Sequence, residues 1–162
     1  MNTLVWVQES AFATWVRESD WALFAFLIVH TMGMGFLIGS AIAFHLRILG
    51  VASGVDLAKF AKIAPVMVLG ALAAIASGLL LVIAYPAKAL TNSIFYLKLA
   101  LIVAALVLTR KLLRAALREH GIAWLSSSAA KYRAAFGIAL WVAALTAGKF
   151  LPYTNKVLLV YS

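Results

Sequence analysis

Long apolar runs, each closed by charged or turn-forming residues, dominate the chain. Four of them, at about 21–44, 63–85, 89–109 and 134–151, can cross roughly 30 Å of hydrocarbon as helices at about 1.5 Å per residue. The strands of a β-barrel would be shorter and would alternate apolar with polar positions, which these runs do not. With the helical turns that flank them, the pattern predicts spans at about 21–46, 63–85, 89–113 and 134–151. Pro86 closes the second and Pro152 follows the fourth. Residues 2–19 are too polar to cross. There Leu4, Val7 (or Gln8), Ala11 and Trp15 share one helical face, which predicts a short helix lying in the membrane interface. The expected fold is all-α, an integral-membrane four-helix bundle forming a single transmembrane domain over 1–162.

Composition agrees with the pattern. Of 162 residues, 65% are hydrophobic and 12% charged, and the mean hydropathy is +1.03, too little polar surface to cover a soluble core. The chain has no cysteine, which excludes disulfides, thiolate zinc sites, iron–sulfur clusters and cysteine nucleophiles together. Arg17 alone of the basic residues precedes the first apolar run, with Glu9, Glu18 and Asp20 around it rather than a basic stretch, so a cleaved leader is not expected.

A net charge of +9 invites a nucleic-acid reading, but the cations sit between the apolar runs rather than in a basic stretch interleaved with aromatics. Nine of them fall in the segments after the first and third spans: Arg47, Lys59, Lys62, Arg110, Lys111, Arg114, Arg118, Lys131 and Arg133. Four fall on the other side, Arg17, Lys88, Lys149 and Lys156, together with Glu9, Glu18 and Asp20. The positive-inside rule then puts both termini outside, in the periplasm of a bacterial inner membrane, and the excess charge at the cytoplasmic surface. Arg110, Arg114 and Arg118 recur every four residues, a basic helical stripe whose expected partner is lipid headgroups. Gly35, Gly39 and Ala43, and likewise Gly70, Ala74 and Gly78, have the spacing of close helix packing within the bundle, with homo-oligomer formation as a further use.

Hydrocarbon offers an ionisable group no partner, so such groups inside a span are candidates for function. His30 lies inside the first span with Gly33 and Gly35 beside it and Met34 one turn on. Missing side chains next to an imidazole leave room for a flat macrocycle, as axial ligation of haem requires. The alternative is a neutral histidine bonded to a carbonyl or hydroxyl of the bundle. His45 follows about 22 Å along the axis and about 60° around it. That spacing suits a second haem ligand, but no other span carries a histidine, and beside Arg47 it reads rather as an interfacial residue. His120 falls in the segment between spans three and four. Lys98 inside the third span and Lys149 late in the fourth, with Tyr96 and Tyr153, would rim a basic pocket for haem propionates, a quinone carbonyl or a small anion. The run from His30 to Met34 also offers imidazole and thioether groups suited to copper(I). No hydrolytic triad, phosphate loop or intramembrane carboxylate pair is present, so whether the protein is an enzyme stays open.

At these residues the chain resembles a family of four-helix bacterial inner-membrane proteins catalogued as a domain of unknown function. The resemblance rests on His30, Gly33, Gly39-Ser40, Leu46-Arg47 and Leu49-Gly50 in the first span, and on Phe95 and Lys98 in the third. In the fourth it rests on Leu140-Trp141, Ala147-Gly148-Lys149-Phe150 and Tyr153-Thr154. More distantly the layout is similar to copper-resistance D-type proteins and to membrane haem-binding protoporphyrinogen oxidases, which pair a first-helix histidine with a third-helix lysine, as His30 and Lys98 would. The resemblance implies tetrapyrrole, quinone or metal handling in the membrane. The resulting expectation is a small haem b-binding or electron-transfer protein, acting as an oligomer or beside other membrane subunits. It places His30 on iron, His45 less favourably so, and Gly33, Met34, Lys98, Lys149 and Tyr153 around the cofactor. A cofactor-free accessory subunit and a copper or small-solute permease are the alternatives.

Overall fold

The computed structural model describes residues 3–118 and 121–158, and every regular element among them is helical. In chain order these are α1 (Thr3–Gln8), α2 (Ala11–Glu18), α3 (Ala22–Ile48), α4 (Leu57–Phe60), α5 (Ala64–Ala84), α6 (Pro86–Leu90), α7 (Ser93–Ala116), α8 (Gly121–Leu125) and α9 (Ser128–Leu158). A 3₁₀ turn, Ala61–Ile63, joins α4 to α5. Four of the helices, α3, α5, α7 and α9, are long and apolar enough to cross a membrane.

Local chemistry sets the boundaries. The expected helix over 2–19 is two helices, because Ser10 leaves helical geometry and its hydroxyl accepts from Ala13 N at 3.3 Å as an N-cap. Pro86 forces Tyr85 out of the helical region, which stops α5 and starts α6. Asn92 caps α7 by accepting from Ile94 N at 2.9 Å, and its amide reaches Leu151 O on α9 at 3.4 Å. At the other end Ser127 accepts from Ala130 N at 3.3 Å and starts α9 well before the expected position 134. Lys131 and Arg133, expected in a loop, therefore stand on its first turns.

The long helices meet on apolar faces. α3 lies along α5, α7 lies along α9, and α3 joins the pairs by packing on α9. One buried cluster fills the middle with Met34, Leu37, Ile38, Ala41, Met67, Ala74, Ala105 and Trp141. A second, around Phe44, Ile48, Leu112, Leu125 and Ala134, fills the end that carries α4 and α8. Outward positions are apolar too, among them Phe24, Leu69, Leu72, Val103 and Phe136, as expected for helices whose solvent is lipid.

The tightest approach is between α3 and α5. A Cβ on Gly33 would lie 2.7 Å from Ala74 N and 2.8 Å from Gly70 O, and one on Gly70 would lie 2.7 Å from Leu37 N. The two backbones touch there. Gly35 and Gly39, expected to pack within the bundle, instead face open space with no atom within 4 Å of a built Cβ. At the opposite end from α8, α1 and α2 fold over the ends of the long helices. Ala13 and Val16 turn inward, whereas Trp6, Phe12 and Trp15 are exposed. Arg17 donates to Ala84 O, the last residue of α5, at 3.0 Å.

Candidate functional site

Polar side chains inside the long helices gather at two levels. The first lies toward α6 and holds His30 on α3, Ser77 on α5 and Lys98 on α7. His30 on α3 faces α5, and its Nδ1–H donates to Ala74 O at 2.9 Å. The Ser77 hydroxyl, which donates to Ala73 O, also lies 3.3 Å from Nδ1. A Cβ on Gly78 would lie 3.1 Å from His30 Cε1, so a glycine there is what lets the ring lie against α5. Lys98 on α7 is half-buried toward the same end of the helices. Its stem runs past Gly148 on α9, where a Cβ would lie 3.4 Å from Cε and 3.5 Å from Nζ.

Because a carbonyl can only accept, the bond to Ala74 fixes the proton on Nδ1. Nε2 then carries the lone pair, and it makes no hydrogen bond with any described residue. Histidines that ligate metals have this arrangement, with one ring nitrogen held by a carbonyl and the other free to donate its pair. The carbonyl-and-hydroxyl partnership expected of a bundle histidine is thus present, but at one nitrogen only.

The second level lies toward α8. His45 is fully buried on α3 rather than interfacial, with Nδ1–H donating to Ala41 O at 2.7 Å. Its Nε2 is buried without a partner and presses on Gly137 of α9 so closely that a Cβ there would fall on it. One turn along α9, the Trp141 indole N–H donates to Thr109 Oγ1 at 3.2 Å, and that hydroxyl donates to Ala105 O at 2.7 Å. This level is closed, whereas the His30 level is half-exposed.

The other expected site residues do not converge. The space beside Gly33 that a flat ligand would need is filled by the α5 backbone. Met34 is buried in the central cluster and Met32 is 55% exposed on the outside, so the imidazole and the two thioethers do not share a centre. Lys149 and Tyr153 point outward, and Tyr96 is exposed with its hydroxyl donating to Leu90 O at 2.9 Å. Among the described residues no three His, Asp or Glu side chains gather into a metal cage, and His120 lies outside them.

The chain matches no protein-family model, no curated protein and no solved structure.

Ser77, Gly78 and Gly148 were not singled out as site residues by the sequence pattern. Ser77 is a lone hydroxyl in an apolar span, and Gly148 reads as part of a motif centred on Lys149. Only the packing of α3 on α5 shows Ser77 and Gly78 beside His30, and only that of α7 on α9 shows Gly148 beside Lys98.

Proposed function

We propose that this chain is a small haem b-binding, electron-transfer protein of a bacterial inner membrane, with both termini periplasmic and the four long helices forming a bundle. The distribution of cations, nine toward the α4 and α8 side against four opposite, supports that orientation. One observation carries the functional reading. His30 is held at Nδ1 by Ala74 and leaves Nε2 without a hydrogen bond to any described residue, toward the same end of the helices as Lys98. Iron would take Nε2, and Lys98 would take a propionate or, for a quinone visitor, a carbonyl. Bound haem would supply one-electron chemistry. The half-buried glycines at this level, Gly78 and Gly148, are the small residues next to the site, in place of Gly33. No second histidine stands at this depth among the described residues. The protein therefore acts with a second copy or with another membrane subunit, and the open Gly35–Gly39 face of α3 supports such association.

The decisive measurement is the absorption spectrum of the detergent-purified chain from haem-replete cells. A Soret band lost in His30→Ala and retained in His45→Ala is expected, with the helical circular dichroism of both variants intact. A natural chain without a Soret band overturns the proposal. One observation favours a second reading: the His30–Ala74 bond ties α3 to α5 at their tightest crossing. In a cofactor-free accessory subunit, His30→Ala would lower stability or assembly and change no visible spectrum.

A further inference from the structure

The outward face of α7 is built in two consecutive parts. Ala105, Thr109, Leu112 and Ala116 are the buried residues of this helix and mark its inner face. At 100° per residue, the opposite side carries Leu99, Val103 and Val107, followed within one turn by Arg110, Lys111 and Arg114, while Arg118, expected on the same helical stripe, lies in the turn just past the end of α7. All seven are exposed, the three apolar ones at 44%, 59% and 49%. The three cations on the helix span about 6 Å of axis, and none of the four pairs with another described residue. Deep in hydrocarbon such a cluster would be costly, and in water the valines would gain nothing. An apolar strip that passes into a basic strip on one helix face matches the profile of a phospholipid, with acyl chains alongside the valines and phosphate at the arginines.

We propose that this face of α7 is a binding site for an anionic phospholipid, with Arg110 and Arg114 on the phosphate and Leu99, Val103 and Val107 along an acyl chain. The site is independent of the haem reading. It goes beyond the general attraction of a positive surface, because it assigns the lipid to one helix and leaves the exposed Lys59 and Lys62, in the segment between α3 and α5, outside it. A free phosphate would use the arginines and ignore the apolar strip.

Native mass spectrometry of the full chain in a non-ionic detergent tests this, with dioleoyl phosphatidylglycerol and dioleoyl phosphatidylcholine as the added lipids. The natural chain should retain the glycerol lipid about tenfold more tightly, on the scale expected of two well-placed arginines. Arg110→Gln/Arg114→Gln should abolish most of that preference with helical circular dichroism unchanged, and Lys59→Gln/Lys62→Gln should keep it. Equal retention of the two lipids by the natural chain overturns the proposal. So does an equal loss in the lysine variant, which would mean bulk charge alone. Displacement of the lipid by millimolar inorganic pyrophosphate also overturns it, by showing a site for free phosphate.

Discussion

His30 and His45 stand on one helix, hold the same tautomer through a backbone carbonyl, and differ in what faces Nε2. At His30 the nitrogen is at a half-exposed level. At His45 it is sealed against Gly137 with no donor. A buried acceptor without a partner costs about 1–3 kcal/mol, so His45 weakens the packing it occupies. Gly137 is what makes the contact possible. Gly137→Ala should therefore destabilise the protein by about 1–3 kcal/mol, the usual scale of overpacking. Adding His45→Ala should recover part of that loss, which reversible unfolding of the two single variants and the double variant in mixed micelles would measure. A loss in the double variant equal to the sum of the singles would show that the two residues do not interact. The sequence made His30 visible, because an imidazole in an apolar run stands out on its own. It could not show that His45 is buried: Arg47, two residues on, suggests the membrane surface, and only the approach of α9 closes over the ring.

At the scale of elements, the glycines separate helix faces in a way their spacing could not. The GxxxG pair Gly35 and Gly39 reads as the packing face of the first span, yet the face in contact with α5 is the one with Gly33, Leu37 and Ala41. Both faces are rich in small residues, and which one meets a neighbour depends on where α5 lies, information that a single helix does not contain. The corresponding set on α5, Gly70, Ala74 and Gly78, does face α3, as its spacing suggests. Gly70→Ala should cost about 1–3 kcal/mol through its clash with the α3 backbone. Gly35→Ala should leave the isolated protomer within about 0.5 kcal/mol of the natural chain, as for other open surface sites. If the open face of α3 mediates self-association, Gly35→Leu should shift the protein toward monomer in light scattering while its helical content stays constant. The spans themselves were legible from apolar length alone. The short helices α4 and α8 were not, because four or five residues carry too little periodicity to register.

Taken whole, the molecule has a basic end around α4 and α8 and, at the other, an aromatic end formed by Trp6, Phe12, Trp15 and Trp21, which lie at or near the first two helices. The absence of cysteine makes the orientation directly measurable. Single cysteines at Ser53, in the exposed segment after α3, and at Thr91, just before α7, lie on opposite sides in the proposed topology. In intact cells with a permeabilised outer membrane, a membrane-impermeant maleimide should label Thr91→Cys and spare Ser53→Cys; the reverse pattern would invert the orientation. The clasp between Arg17 and Ala84 also sets an order of events during synthesis. The guanidinium and its carbonyl are 67 residues apart in the chain. At 5–20 residues per second, α2 emerges roughly 3–13 s before the end of α5 exists to receive it. For that interval α2 has, of the long helices, only α3 to rest on, through the contact of Phe12 with Phe26, whose ring centroids are 6.5 Å apart. A nascent chain cut short before α5 would keep that contact and leave the Arg17 guanidinium without its carbonyl.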